Sequence, residues 1–378
     1  MRLLFLTCHL PYPPHSGGRL REHELLARLT QRFDVHVAAV TKTLAEDAEA
    51  VAQIPWDHHG VSLFGAAPLS QMEGLAPQVA RHRSKAAAAG IGELLAAGDF
   101  DAVHVEGFYL WQHLSRARPP AVLVEQNIEW QLFEQQGRDG QAGATRRAEL
   151  AVWRQADVLG ALTRDDHEVI ARHTGRAVHL VPDGADHLHP PPRAPRQTAS
   201  GERILMVANF GYAPNVDGAA WFVREVMPRI RAARPAARLQ LVGASPPPEI
   251  RALACDDLDV TGRVPDVAPY LHAADVVVCP LRYGGGVKVK MLEALRAGKA
   301  IVSTDVGCQG LSLPPGAVDR ASAGDCFARA VIALLTDPQR RAHAERAAAA
   351  VELPTWDDAA EALAECWRLA TRRSRAAA

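Results

Sequence analysis

Short apolar segments alternate with longer amphipathic ones along most of the chain, and this alternation constrains the fold more than any other feature. Segments such as LLFLTC (3–8), AVHVEG (102–107) and DVVVCPL (275–281) are nearly continuous in apolar residues, which is typical of strands buried on both faces of a parallel sheet. Amphipathic segments such as 21–33 predict the helices that cover such a sheet. We therefore predict an α/β fold with parallel sheets.

The predicted strands fall into two series separated by a proline-rich segment. The first series covers 3–8, 35–40, 61–64, 102–107, 121–126, 157–162 and 177–182, and the second covers 203–210, 237–243, 275–281 and 300–306. HPPPRAPRQTASGE (189–202) lies between them and combines prolines with small polar residues, as interdomain linkers do. A chain of 378 residues is also too long for one ordinary hydrophobic core. We predict an N-terminal domain over 1–190, a linker over 191–201 and a C-terminal domain over 202–354.

The charge balance and the cysteine pattern argue against several classes of protein. The formal net charge is -1, so no overall positive field attracts nucleic acid or an anionic membrane. None of the six cysteines forms a Cys-x-x-Cys pair, which argues against a structural zinc site and a disulfide framework. The N-terminal MRLLFLTCHLPYPP predicts a buried strand rather than a signal peptide, and no apolar stretch is long enough to span a bilayer. We therefore predict a cytoplasmic protein that does not bind nucleic acid.

The segment RYGGGVKVKMLEALRAGK (282–299) places three glycines before a predicted helix and two lysines at its start. Bare amides at a strand-to-helix turn attract anions, and Lys288 and Lys290 add full positive charge. Glu293 lies on nearly the same helix face as Lys290, where a carboxylate can accept hydrogen bonds from a ribose. A solvated helix with an exposed Lys–Glu pair would show the same pattern without a ligand. Three glycines destabilise a turn without a packing benefit, so we favour a diphosphate-and-ribose site beside Gly284, Gly285 and Gly286.

A second glycine pair, Gly17 and Gly18, follows the first predicted strand and precedes the first predicted helix. Glycines there let backbone amides approach a phosphate closely at a helix N-terminus, although an ordinary tight turn uses them too. The segment is not Gly-x-Gly-x-x-Gly, so the sequence does not support a dinucleotide-binding fold.

Two further patterns look like metal-binding motifs. The Asp-x-Asp stretches at 99–101 and 257–259 are interpreted as solvated turns, and the first leads directly into an apolar strand. His187 and His189 lack the spacing of helical or hairpin metal ligands. We predict no metal site and no cofactor.

Several of these segments, in this order, resemble one family of enzymes. PLRYGGGVKVKMLEALRAGKAIVSTDVGCQGL resembles the donor-nucleotide signature of the GT-B glycosyltransferases, specifically the large retaining family known as glycosyltransferase family 4. CHLPYPPHSGGRLREHELLARL is similar to that family's N-terminal glycine-rich loop, VPDGAD to its Pro-Asn-Gly-Val-Asp turn, and PTWDDAAEAL to its terminal helix. The resemblance covers nearly the whole chain. It implies a GT-B fold, in which two Rossmann-like domains with parallel sheets face each other across a cleft, and a C-terminal helix over 355–378 that packs back on the first domain.

The resemblance also implies roles for the residues that align with the family's donor site. Glu293 matches the second glutamate of a Glu-x7-Glu pattern and would bind the donor ribose, and Lys288 and Lys290 would neutralise the diphosphate leaving group. Gly285 stands where that pattern has its first glutamate, so contact with the sugar would come from backbone amides of Gly285 and Gly286. The other implied donor-site positions are Gly17 and Gly18, which would cap the diphosphate and the sugar, and Arg263 and Val264, which would present backbone to the base.

This chain departs from the family after the first strand of its second domain. The family often has a basic pair there, whereas this chain reads ANFGYAPN, without lysine or arginine. The departure gives Lys290 more weight in neutralising the diphosphate, with Arg282 or Arg263 as helpers.

A second departure affects the proton transfers of the reaction. Gln126, or its neighbour Asn127, stands where many relatives have a histidine, and neither amide can act as an acid or a base near pH 7. In the front-face mechanism proposed for retaining enzymes the leaving phosphate takes the acceptor proton, so transfer does not require that histidine. Glu106 could orient the acceptor hydroxyl or form an ordinary loop salt bridge. The candidate catalytic residues are therefore Glu106, Gln126 and Lys290.

Three functions are compatible with these observations. The leading hypothesis is a retaining, metal-independent glycosyltransferase that takes a nucleotide-diphosphate sugar and a hydroxyl-bearing acceptor. An epimerase of GT-B fold is the second, although it needs acid–base side chains where this chain has Gln126. A non-catalytic sugar-nucleotide-binding partner protein is the third, and Gly285 in place of a glutamate motivates it. The sequence leaves the acceptor, the sugar, the base and the oligomeric state open, and a lipid-linked acceptor would imply peripheral contact with a membrane.

Overall fold

The computed structural model describes residues 1–66, 75–188 and 202–377, with side chains up to residue 372. The chain divides into two compact units, each with its own sheet. Unit 1 comprises Met1–Gly184 and Thr355–Ala378, and unit 2 comprises Ala185–Pro354. The predicted linker, 191–201, lies outside the described residues.

Within the described residues, the sheet of unit 1 has seven parallel strands in the spatial order β3-β2-β1-β4-β5-β6-β7. These strands are β1 (Arg2–Thr7), β2 (Asp34–Thr41), β3 (Gly60–Gly65), β4 (Ala102–Glu106), β5 (Ala121–Glu125), β6 (Val158–Ala161) and β7 (Val178–Leu180). The helices between them are α1 (Gly17–Leu29), α2 (Leu44–Val51), α3 (Pro77–Arg81), α4 (Lys85–Ala97), α5 (Glu129–Gln135), α6 (Asp139–Gln155) and α7 (Arg164–Thr174), with a 3₁₀ turn at Phe108–His113.

Both faces of this sheet are buried, as the nearly continuous apolar strands predict. Successive side chains of a strand point to opposite faces, and Leu3 and Phe5 of β1 pack in one cluster with the apolar residues of α1. Leu4 and Leu6 pack in another cluster with Ile91 of α4. The first strand is therefore a central element of unit 1, and its carboxyl end lies between those of β2 and β4.

Within the described residues, the sheet of unit 2 has six parallel strands in the order β10-β9-β8-β11-β12-β13. These are β8 (Arg203–Val207), β9 (Arg238–Val242), β10 (Leu258–Gly262), β11 (Val276–Cys279), β12 (Ile301–Ser303) and β13 (Asp319–Arg320). The helices are α8 (Ala213–Trp221), which continues through a π-helical turn (Phe222–Val226) into α9 (Met227–Ala233), then α10 (Pro248–Arg251), α11 (Ala268–Ala273), α12 (Val289–Arg296), α13 (Gly324–Thr336) and α14 (Pro338–Ala349).

Alternation along β11 places its side chains in two cores. Val276 and Val278 pack with residues of α9 and α13 on one face. Val277 and Cys279 pack on the other face with Met291 of α12. The parallel sheets in both units, covered by helices on each face, confirm the predicted α/β fold class.

The last helix, α15 (Trp356–Ala377), belongs to unit 1. Thr355 begins it, because Thr355 Oγ1 accepts a bond from Asp358 N (3.1 Å) and Asp358 Oδ2 accepts one from Thr355 N (2.9 Å). Trp367 is fully buried and packs edge-on against Phe33 with the ring centroids 5.4 Å apart. No helix in the described residues is long and apolar enough to cross a membrane.

The first helix differs from its prediction over 21–33. Ser16 Oγ accepts a bond from Arg19 N (3.4 Å) and caps the helix, so that α1 begins at Gly17. The helix ends at Leu29 rather than at residue 33. Gly17 and Gly18 are therefore the first two residues of α1, and the prediction that they precede it is wrong.

Two strands of unit 2, β10 and β13, were not predicted from the sequence, and both are edge strands. β10 alternates buried and exposed residues, so it lacks the continuous apolar run that identifies the central strands. β13 has only two residues. The helix predicted over 217–233 also begins earlier, at Ala213, because Pro214 occupies its first turn, where a missing N–H costs nothing.

Candidate functional site

The three glycines lie in the loop between the carboxyl end of β11 and the start of α12. Gly284 (φ 148°) and Gly286 (φ 64°) adopt backbone conformations that favour glycine over residues with a Cβ. Within the described part of the chain, the N–H groups of Gly285, Gly286 and Val287 make no hydrogen bond. The loop therefore presents unpaired amide donors beside a helix N-terminus.

Lys288, the residue that precedes α12, folds back under this loop. Its Nζ donates to the carbonyl oxygens of Gly285 (3.1 Å) and Gly286 (2.5 Å), and the residue is buried. The C=O and N–H of a trans peptide point in opposite directions, so a lysine that binds these two carbonyls turns the N–H groups of Gly286 and Val287 away from itself. Lys288 thus shapes the loop, and its charge lies on the side opposite to those two amide donors.

Lys290 occupies a different position, in the first turn of α12, where it is half-buried. Its Nζ donates to Asn215 Oδ1, from α8. Burial lowers the pKa of Lys290, while Cys279 and Glu293 raise it in part. An ammonium that is short of solvent gains more from a bound anion than a fully hydrated one does.

Glu293 lies on the buried side of α12, with its side chain 11% exposed. His187 Nε2 donates to Glu293 Oε1 over 3.2 Å. Within the described residues no hydrogen bond reaches the other carboxylate oxygen, Oε2, which leaves it able to accept bonds from a ligand.

The other predicted donor-site residues of unit 2 follow a different strand of its sheet. Arg263 and Val264 follow β10, an edge strand that β9 and β8 separate from β11. Arg282, considered as a helper of Lys290, forms an ion pair with Asp217 of α8, whose carboxylate raises the pKa of Arg282. Gly284, Gly285, Gly286, Lys288, Lys290 and Glu293 thus lie together in the loop after β11 and the first turns of α12, whereas Arg263 and Val264 follow β10.

A second polar cluster lies in unit 1, where β1, β4 and β5 end beside the start of α1. Gly18 is close to two side chains, since a Cβ built on it would lie 3.3 Å from His9 Cε1 and 3.5 Å from Gln126 Oε1. His9 Nε2 lies 3.2 Å from Glu22 Oε1 of α1. Burial alone would lower the pKa of His9, but the Glu22 carboxylate and the Cys8 thiol outweigh it and hold that pKa well above its ordinary value.

Glu106 lies below this cluster rather than at its surface, with only 1% of the residue exposed. His104 Nε2 donates to Glu106 Oε1 (3.0 Å), and Gln126 Nε2 donates to Glu106 Oε2 (3.1 Å). Arg21 Nε lies 4.0 Å from the same carboxylate. Burial would raise the pKa of Glu106, but His104, Arg21 and Gln126 together lower it below its ordinary value. Glu106 is therefore ionised and fully engaged, and it fixes the amide of Gln126.

Gln126 and its neighbour Asn127 make different contacts. Asn127 Nδ2 donates to Glu129 Oε1 (3.0 Å) at the start of α5. Gln126 uses its Nε2 on Glu106, so its Oε1 is the atom that faces the first turn of α1. Gln126 thus offers a hydrogen-bond acceptor beside Gly18.

Sequence reasoning missed several residues of both groups. His9, Arg21 and Glu22 belong to the same glycine-rich segment as Gly17 and Gly18, so the polar residues after β1 carried a signal that could have identified them. His187 was discounted only as a metal ligand, although it directly follows the VPDGAD turn. Asn215 lies in the segment that was noted for lacking basic residues, and a polar partner for Lys290 was not sought there.

Residues 201–337 match the model of the family Glycosyl transferases group 1. No curated protein sequence matches the chain.

Solved structures resemble the chain over nearly its full length. Sucrose-phosphate synthase from Thermosynechococcus elongatus is 17% identical with a TM-score of 0.72, and the match covers 100% of both chains. Anabaena HepE, in complex with UDP and glucose, is 16% identical with a TM-score of 0.72, covering 97% of this chain and 98% of the other. A putative UDP-N-acetylglucosamine 2-epimerase from Listeria monocytogenes is 13% identical with a TM-score of 0.65, covering 97% and 95%. The chain therefore has the GT-B fold, and its residues 201–337 carry the signature of the glycosyl transferases group 1 family.

Proposed function

We propose that the protein is a retaining glycosyltransferase that moves a sugar from a nucleoside-diphosphate donor to a hydroxyl group without a bound metal ion. The observation that carries this proposal is the group at the start of α12. Three unpaired amides, the desolvated ammonium of Lys290 and the carboxylate of Glu293 lie within one loop and the first turns of one helix. Amides and an ammonium match a diphosphate, and a carboxylate matches the vicinal hydroxyls of a ribose.

Each group has a separate part in this proposal. The N–H groups of Gly285, Gly286 and Val287 bind phosphate oxygens, and Lys290 neutralises the charge that develops on the diphosphate as it leaves. Glu293 accepts hydrogen bonds from the ribose through Oε2. Lys288 acts indirectly, because it holds the loop carbonyls that orient the amides.

The transfer itself needs few protein groups. The bond between the anomeric carbon and the diphosphate oxygen breaks, the acceptor oxygen bonds to that carbon on the same face, and the acceptor proton passes to the departing phosphate. The chain's own residues supply charge neutralisation and positioning. In unit 1, Gln126 Oε1 is the proposed acceptor for a substrate hydroxyl, and Glu106 is a positioning residue that holds it.

Thermal stabilisation by a panel of UDP, GDP, ADP, dTDP and CMP, with their sugars, tests the donor site. A ligand that binds the folded state raises the melting temperature by mass action. We expect one diphosphate series to stabilise the wild type and Glu293→Ala to lose the effect. Uridine ligands come first, because UDP and glucose occupy the structurally similar HepE.

Product analysis then separates the candidate functions. Transfer to a hydroxyl acceptor with the anomeric configuration retained, unchanged by EDTA, supports the proposal. An epimerised donor formed without any acceptor would indicate an epimerase, and donor binding without consumption would indicate a binding protein. If no nucleotide in the panel stabilises the protein, the donor site itself is refuted.

A further inference from the structure

Lys290 and Glu293, two of the charged residues of α12, are both held by residues outside that helix. Lys290 is bonded to Asn215 of α8, and Glu293 is bonded to His187 in the turn that opens unit 2. Neither partner is implied by the positions of Lys290 and Glu293 on the helix. Because a flexible lysine and glutamate lose rotamer freedom when they bind a ligand, prior fixation reduces that cost.

The turn that carries His187 is itself anchored in unit 2. Leu188 is buried in the same core cluster as Met291 and Leu295 of α12. Ala185 N donates to Pro354 O (3.1 Å). These contacts hold the imidazole against Glu293 Oε1 and leave Oε2 as the oxygen that can accept from a ligand.

Asn215 is fixed as firmly as His187. Its side chain is buried, its Nδ2 donates to Asn209 O (2.7 Å) and its N donates to Tyr212 O (3.0 Å). With Nδ2 so engaged, Oδ1 must face Lys290. Helix α8 can pack close to the end of β11 because Gly218 has no side chain; a Cβ there would lie only 2.7 Å from Pro280 O.

We propose that His187 and Asn215 are positioning residues that divide the selectivity of the nucleotide site, His187 for the ribose hydroxyls and Asn215 for the diphosphate. The inference rests on the proposed function and names residues that act through Glu293 and Lys290. A hydrogen-bonded carboxylate discriminates between ribose and 2′-deoxyribose only while its acceptor oxygen is correctly placed. An ammonium discriminates between a diphosphate and a monophosphate only while it is held where the second phosphate lies.

The experiment measures three affinities by calorimetry for the full-length wild type, His187→Ala and Asn215→Ala. The probes are UDP, 2′-deoxy-UDP and UMP, or the same three forms of whichever nucleoside the thermal panel selects. His187→Ala should reduce the preference for UDP over 2′-deoxy-UDP about three- to tenfold and leave the UDP-to-UMP ratio unchanged. Asn215→Ala should reduce the preference for UDP over UMP and leave the preference for UDP over 2′-deoxy-UDP unchanged.

His187→Gln is the matched control, because its amide N–H can still donate to Glu293 and should restore much of the preference for ribose. Circular dichroism and thermal melting establish that each variant is folded. A loss of stability alone would weaken all three ligands together and leave both ratios unchanged.

The outcomes separate this inference from the proposed function. If the wild type binds UDP or another diphosphate but each alanine variant keeps both ratios, the division of selectivity is refuted while the donor site stands. If both variants change both ratios equally, His187 and Asn215 do not act separately on the ribose and the diphosphate, and the inference is again refuted. If the wild type binds no nucleotide, the proposed function fails and the inference falls with it.

Discussion

Lys288 and Lys290 are two residues apart, yet the structure predicts opposite consequences when each is replaced by methionine. Lys288→Met removes two charge-assisted hydrogen bonds and leaves the carbonyls of Gly285 and Gly286 without that donor. Hydrogen bonds to charged groups contribute about 1.5–3 kcal/mol each, and relaxation of the loop recovers part of this. We expect unit 2 to lose about 2–3 kcal/mol of unfolding free energy, or about 4–12 °C in melting temperature.

Lys290→Met should behave differently because burial already disfavours its ammonium, as the lowered pKa indicates. Its stability should stay within about 1 kcal/mol of the wild type, since the lost bond to Asn215 is offset by relief of desolvation. Its affinity for UDP should fall by about tenfold or more, because the cation proposed to neutralise the diphosphate is gone.

Urea unfolding, hydrogen exchange of the peptides that cover 280–296, and UDP calorimetry give the required quantities. Arg296→Met is the matched control, since it removes one positive charge from the exposed far end of α12 and should change neither stability nor affinity appreciably. Equal destabilisation by the two lysine variants, or an Lys288→Met protein as stable as the wild type, would refute the assignment of Lys288 to the loop.

Three further predictions concern unit 1. Trp367→Ala should cost about 3–5 kcal/mol in urea unfolding, because the buried indole packs on Phe33 and His104; a loss below about 1 kcal/mol would contradict the packing of α15 in that core. Gly184→Ala should lower the melting temperature, since its Cβ would lie 2.4–2.7 Å from the backbone at the start of α15; an unchanged melting temperature would contradict this close approach. Burial raises the pKa of Glu125 to about 8, so the stability that its protonated form contributes is present at pH 4 and should fall by about 3 kcal/mol as the pH rises from 5 to 8. In urea unfolding at several pH values, Glu125→Gln should flatten this pH dependence, and parallel curves for variant and wild type would refute the prediction.

The sequence predicts the sheets well because parallel strands buried on both faces have a simple pattern. Nearly continuous apolar runs locate β1, β4 and β11 within a residue or two. The pattern fails where burial is one-sided, as in β10, and where a cap decides the start, as at Ser16. Both failures have the same cause, because the residues of a segment do not reveal the contacts that neighbouring parts of the chain make with it.

The candidate site is predicted only in part, for a related reason. Charge and spacing identify Lys290 and Glu293, since residues on one helix face share a known geometry. They cannot distinguish Lys288 from Lys290, because which lysine folds under the loop depends on the φ angles of the preceding glycines. They also cannot identify His187, because it lies far from Glu293 along the chain and no spacing pattern connects the two residues.

Gly285 replaces the first glutamate of the family pattern, which is the departure that bears most on catalysis. In the structure it belongs to a loop that presents unpaired amide donors. A carboxylate side chain there would offer acceptors to a sugar hydroxyl, whereas the loop as built offers N–H donors. Lys288 makes this arrangement stable, since its ammonium binds the carbonyls of residues 285 and 286 and turns the opposite edges of those peptides outward. The glycine loop and the buried lysine therefore act as one element with reversed hydrogen-bond polarity, which suits phosphate oxygens better than hydroxyl hydrogens. Under the proposed function, this loop holds the diphosphate without the first glutamate of the Glu-x7-Glu pattern.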